Sequence, residues 1–138
     1  ELINEERIKN NLTGLTWDDG IANAARKHSG DMGTNNYFAH DSLDGRVLKD
    51  RLMEEEISCS PGCGENIIMH PEAHHIKIIN GIEYPDYLSQ DQLARDIVKS
   101  WMNSPGHREN ILTDLFKTSG MGVYYVNSYY YVTQDFKG

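Results

Sequence analysis

The chain has 138 residues, a net charge of -8, 38% hydrophobic and 25% charged residues. That length makes one domain able to bury a core without metal or disulfide staples. The acidic balance, with no basic run or stripe, argues against a nucleic-acid partner and against simple electrostatic docking on anionic lipid. No apolar run reaches the length of a membrane span, and no signal peptide is recognisable. The first residues already follow a helical pattern, so the chain is expected to be a domain trimmed from a longer protein.

Leu2 to Asn11 reads as a helix with Leu2, Ile3 and Ile8 inward and Glu5, Glu6, Arg7 and Lys9 outward. Thr13-Gly14 breaks it. Thr16 is then expected to cap a second helix, with Asp18 and Asp19 in its first turn. Ile21, Ala24, Ala25, His28 and Met32 share one face of that helix. On such a stripe His28 reads as a hydrogen-bonded core histidine rather than a site residue.

Gly33 to Asn36 ends the helix, and Tyr37-Phe-Ala-His-Asp41 carries His40 into a loop closed by the turn Ser42 to Gly45. A third helix is expected over Arg46 to Ile57, with Val47, Leu48, Leu52 and Ile57 inward. Cys59 and Cys63 flank Ser60-Pro61-Gly62, a turn signal that brings them within disulfide reach. Two free thiols or a metal pair are the alternatives. Gly64 to Met69 reads as a buried strand with Glu65 at its mouth, and buried acids are normally paired.

From His70 to Leu88 the periodicity is lost. An inserted surface loop is expected, with a short strand at Ile76 to Ile79. His70 and His74 would chelate a metal on a helix, but Pro71 between them favours solvated loop residues. Ser89 to Gln92 forms a capping box for a fourth helix with Leu93, Ala94, Ile97, Val98 and Trp101 on its core face. Ser104-Pro105-Gly106 then starts a short helix with His107 in its first turn, where the helix dipole favours the neutral ring. Met121 to Val126 and Tyr129 to Phe136 read as strands joined tightly by Asn127-Ser128, apolar or aromatic on both faces and so sandwiched between helical layers. Helices first and an antiparallel hairpin last give an α+β class.

Seven segments carry a further signal: Leu15-Thr-Trp-Asp-Asp19, His28-Ser-Gly-Asp-Met32, Tyr37-Phe-Ala-His-Asp41, Gly64-Glu-Asn-Ile67, Trp101 to Leu112, Gly120-Met-Gly-Val123 and Tyr131-Val-Thr-Gln-Asp-Phe136. In this order they resemble the CAP superfamily (cysteine-rich secretory proteins, antigen 5, pathogenesis-related 1), in its prokaryotic, SCP-like extracellular branch. The resemblance takes residues 1–138 as a single domain, with 70–88 as the insertion. It implies a three-layer α-β-α sandwich with a small antiparallel sheet and about four helices. It also implies secretion or display at the cell surface. The resemblance further implies a cleft with two histidines and two glutamates that often bind a divalent metal, commonly zinc. By motif, three of these fall on His40, Glu65 and His107, with Asn66, Arg108 and Glu109 supporting them. The second glutamate falls on Asn103 or Ser104, neither of which is an acid.

Two imidazoles and one carboxylate suffice for zinc with an open position. Without metal, the same three side chains would form a hydrogen-bonded cluster tying helices to sheet. The zinc-protease motif His-Glu-x-x-His is absent. Glu109 is the nearest acid to serve as a general base, but two residues along a helix from His107 it points elsewhere. The expected function is a secreted or cell-surface module whose cleft binds an extracellular ligand (a lipid, a peptide or an envelope polymer), with a divalent metal, zinc favoured, as its possible cofactor. The alternative is a metal-assisted hydrolase, a peptidase, using the same cleft.

Overall fold

The computed structural model describes residues 1–138. Four strands form one sheet in the order β1 (Thr16–Trp17), β5 (Thr118–Val126), β6 (Tyr129–Lys137), β2 (Cys63–Pro71). The last three are antiparallel, whereas β1 pairs in parallel with β5, so the sheet is mixed. Helix α2 (Asp19–Thr34) and the short α3 (Leu48–Glu54) cover one face; α1 (Leu2–Lys9), α4 (Gln90–Met102) and α5 (Pro105–Ile111) cover the other. The expected α-β-α sandwich is therefore present, with five helices rather than four.

Alternation along β6 sorts the core into its two halves. Val132 and Phe136 pack with Ile3, Ile97, Trp101, Ile111 and Phe116 under α1, α4 and α5. Tyr131 packs with Met32 and Ile67 under α2. Helix α2 lies directly on β5 because Gly120 and Gly122 have no side chain there. A Cβ at either position would stand 2.1 Å from the backbone nitrogen of Ala22 or Arg26. The tight β5–β6 link is as expected, with Asn127 and Ser128 both at positive φ (51° and 67°).

Several local expectations are corrected. Thr16 belongs to β1 and does not cap α2; Asp18 does, accepting from Ile21 N–H at 2.8 Å. In α1 the inward residues are Ile3 and Arg7, while Ile8 is exposed. Arg7 is drawn in by carbonyls: its guanidinium donates to Thr13 O (2.8 Å), Ile111 O (2.7 Å), Thr113 O (3.0 Å) and Phe116 O (3.1 Å). Three of these belong to the end of α5 and its following loop, and Thr13 O to the segment after α1, so the buried charge closes a helix terminus. Burial alone lowers its pKa from the ordinary arginine range, only partly opposed by Asp114.

Residues 70–88 are also not a loop. His70 and Pro71 complete β2, and β3 (Ala73–Ile79) and β4 (Ile82–Tyr87) form a separate two-stranded hairpin turning at Asn80-Gly81. His74 is solvent-exposed and His70 partly covered, and both are paired. Both rings approach Asp96 of α4, His74 Nε2 at 2.6 Å and His70 Nε2 at 3.6 Å from Oδ2, which ties the hairpin root to the domain. Cys59 and Cys63 form a disulfide with Cα atoms 5.2 Å apart, fixing the start of β2 to the chain leaving α3.

Candidate functional site

Strand β2 is an edge strand, and its alternation divides the site between the two helical layers. Glu65, opposite Asp135 on β6, faces the α2 layer; Asn66, opposite Gln134, faces the α5 layer. Residues following α2 deliver His40 over the edge from one side, and α5 delivers His107 from the other. Between them, along Ile67, Ile68 and Met69, runs a cleft of about 490 Å³ lined also by Phe38, Trp101 and Ser104. His40 and His107 both line it.

On the α2 side Glu65 is buried and accepts two charge-relevant hydrogen bonds. His40 Nδ1 lies 2.9 Å from Oε1, and Arg51 Nη2 donates to Oε2 at 2.5 Å. Arg51 also donates through Nη1 to the His40 carbonyl at 2.8 Å, so one side chain holds both the histidine's backbone and its carboxylate partner. Asp135 faces Glu65 across the ladder, fully buried, and neither of its oxygens meets an N–H donor. Two carboxyl groups so placed cannot both ionise. Burial, then the charge of the adjacent Glu65, push Asp135 well above the carboxylate range. Burial opposes ionisation of Glu65 too. There it is outweighed by the hydrogen bond from His40, by the neighbouring Asp135 and by the charge of Arg51, so Glu65 titrates below its usual value.

The hydrogen bond to Glu65 raises the His40 pKa, against the effect of burial. His28 completes this side, with Nε2–H donated to Ala39 O at 2.8 Å and lying 3.9 Å from Glu65 Oε1. Burial and then the Arg51 charge lower its pKa, so the ring is neutral. The expectation of a hydrogen-bonded core histidine describes it well, although it abuts the site.

On the α5 side, His107 stacks on Trp101 with ring centroids 6.4 Å apart, and its Nδ1 lies 2.8 Å from Ser104 Oγ. Ser104 is the N-cap residue of α5, yet its hydroxyl serves the histidine ring and not the helix N–H groups. Burial, followed by the nearby His40 charge, lowers the His107 pKa. Asn66 Nδ2 donates to the His107 carbonyl at 3.0 Å, and Asn110 bridges Asn66 and the Glu65 carbonyl.

The structure thus brings His40 together with Glu65, and His40 and His107 onto one cleft. Glu65 itself does not line that cleft. No group of three or more His, Cys, Asp or Glu side chains is arranged to hold a metal ion, so His40, Glu65 and His107 do not converge as a three-ligand set. If both Nδ1 atoms keep their present partners, the Nε2 edges of His40 and His107 are the donors available to a cation, with Glu65 and Ser104 behind them as orienting partners. Asn66 holds the His107 carbonyl. Arg108 and Glu109 are exposed on α5 and line no part of the cleft.

Sequence reasoning missed Arg51, Asp135 and the role of Ser104. Arg51 follows Leu48 by three positions and precedes Leu52, which places its stem on the apolar stripe of α3. Asp135 is an acid inside an otherwise core-forming strand. Both signals were present, but the pairing of Glu65 with Asp135 depends on strand register.

The profile described as "CAP: Cysteine-rich secretory protein family" matches residues 1–136. The uncharacterized membrane protein YlbC of Bacillus subtilis (strain 168) is 35% identical over 136 residues, spanning 99% of this chain and 32% of YlbC. The uncharacterized protein YkwD of the same strain is 36% identical over 138 residues, spanning 100% of this chain and 45% of YkwD. A crystal structure of an extracellular protein containing an SCP domain from Bacillus anthracis str. Ames is similar with a TM-score of 0.73 and 34% identity, covering 99% of this chain and 37% of that one. The chain therefore spans less than half the length of the curated relatives it matches. No helix in it is long and apolar enough to cross a membrane. With the match running from the first helix to the last strand, and the fold agreeing, the chain belongs to the cysteine-rich secretory protein (CAP) family.

Proposed function

We propose that this domain is a ligand-binding module of a secreted or cell-surface protein, and that its ligand enters the cleft between His40 and His107. One observation carries this reading. The cleft wall offers two imidazoles over an apolar floor and no carboxylate, while the acids of the site lie behind it, already hydrogen-bonded. A hydrolase would need a general base within reach of a bound water. Here Glu65 is held by His40 and Arg51, and Glu109 is on the solvent face of α5. The apolar floor of Phe38, Ile67 and Met69 suits an acyl chain or an apolar peptide side chain. A lipid, a peptide or an envelope polymer of that character is the extracellular partner we infer.

The donor set fits a divalent cation held by the Nε2 atoms of His40 and His107, with water or the ligand completing its shell. Zinc is among the divalent ions that neutral imidazoles suit. When bound, it would supply a positive point for an anionic ligand group. Glu65 would orient and enrich the His40 ring, and Ser104 would do the same for His107.

Calorimetric titration of zinc into the wild type, His40→Ala and His107→Ala tests the cation. One ion per domain is expected for the wild type, with affinity at least about tenfold weaker in each variant. No uptake by the wild type, or uptake indifferent to both substitutions, would remove the cation from the reading. Incubation with a fluorogenic peptide library tests the module against the peptidase. Zinc-dependent cleavage abolished by both substitutions would replace the binding module with the hydrolase.

A further inference from the structure

Beneath the site, where α2, α3 and the segment after His40 meet, lies a cavity of about 20 Å³. His28, Ser42 and Arg51 line it, with the more exposed Lys27, Arg46 and Glu54 towards its rim. Each of the first three has a buried polar atom without a protein partner: His28 Nδ1, Ser42 Oγ and Arg51 Nε. Their parent residues are only 1%, 5% and 4% exposed, so bulk solvent does not serve them. A buried polar group left unpaired costs about 1–3 kcal/mol, and a native cluster of three calls for a common partner.

The three atoms are chemically complementary. His28 donates Nε2–H to Ala39 O, which makes Nδ1 an acceptor. Arg51 Nε–H can only donate, and the Ser42 hydroxyl can do either. A group that donates once, accepts once and adapts to a hydroxyl is required. The size is equally selective: one water needs roughly 10–15 Å³ on this measure and two to four polar partners. A phosphate or carboxylate is too large. Lys27 and Arg46 in the same wall are offset by Asp31 and Glu54, and the lone-pair acceptor His28 Nδ1 needs a donor that a bare small anion lacks.

We propose that one ordered water molecule is bound between His28 Nδ1, Ser42 Oγ and Arg51 Nε, clamping α2, the segment after His40 and α3 together. It engages the guanidinium edge left over when Arg51 holds the His40 carbonyl and Glu65. Through Arg51, the water fixes the backbone from which His40 reaches the cleft. Ser42 and Arg51 are positioning residues in this arrangement.

A crystal structure of the wild-type domain tests the site directly. The expected result is a density peak at hydrogen-bonding distance, about 2.7–3.2 Å, from all three atoms, with no anomalous signal there after a bromide soak. A peak with bromide signal would mark an anion, and no peak would mean that the three atoms rearrange; either overturns the proposal. In solution, Ser42→Thr and Ser42→Val add the same bulk but only threonine keeps the hydroxyl. Amide exchange over Ala39 to Ser42 is expected to be about tenfold faster in the valine variant than in the threonine variant. Equal protection in the two would overturn the clamp. Should the valine variant not fold, the wild-type crystal decides alone.

Discussion

Replacing Arg51 with methionine removes a buried cation while retaining much of its apolar stem. The wild-type side chain is almost wholly buried, with Nη2 at 2.5 Å from Glu65 and Nη1 at 2.8 Å from the His40 carbonyl. Removing one member of a buried ion pair costs roughly 3–5 kcal/mol, because the remaining charge stays desolvated and unpaired. At about 3–4 °C per kcal/mol for a domain of this size, Tm falls by roughly 10–20 °C. The loss also carries a pH signature. Glu65 titrates below its usual value in the folded state, so its contribution is present above the unfolded carboxyl pKa and is lost as pH falls through the lower folded value. Without Arg51, one of the groups holding that pKa down is gone, and Glu65 takes up its proton at higher pH. The gap between wild type and Arg51→Met is therefore widest near neutrality and narrows as pH falls through the carboxylate range, closing only below the lowered wild-type value. Urea denaturation followed by circular dichroism at neutral pH and below that value measures it. A gap under about 1 kcal/mol at neutral pH, or one of equal size at both, refutes the ion-pair reasoning.

Asp135→Asn tests the carboxyl pair. Asp135 has a raised pKa, so its native contribution is complete below the unfolded carboxyl value and lost as pH rises through the folded value. Asparagine offers Glu65 a donor and cannot ionise. Its stability at neutral pH is expected within about 1 kcal/mol of wild type, with a shallower decline on the alkaline side; an unfolded protein or an unchanged decline counts against the carboxyl pair. Replacing both Cys59 and Cys63 with serine opens a loop of sequence separation 4. Chain entropy assigns so short a closure about 2 kcal/mol, and a loss above about 4 kcal/mol in the same denaturation assay would show that the start of β2 depends on the bridge for more than loop closure.

Much of the fold was legible from local patterns because local physics decides it. The apolar stripe from Ile21 to Met32, the Ser89–Gln92 capping box and the Asn127-Ser128 turn all depend on residues within a few positions of one another. Failures came where distant groups intervene. Arg7 looked like an outward charge on its helix until the carbonyls at and beyond the end of α5, more than a hundred residues away, drew it in. Thr16 has the composition of a cap, but β5 offers Thr16–Trp17 a strand partner and the cap passes to Asp18. The segment 70–88 shows no clean alternation because nothing covers either face of its hairpin.

The candidate site divides in the same way. His40, Glu65 and His107 stood out by motif, and the sequence alone determined that two histidines and an acid sit beside turns and strand ends. Their company was decided only in three dimensions. The β2–β6 register sets Asp135 against Glu65, and the edge position of β2 lets His40 and His107 approach one cleft from opposite layers. Burial then brings in Arg51, because a carboxylate removed from water needs a cation. No window of sequence contains that pairing, since register and burial are properties of the assembled sheet and not of either strand.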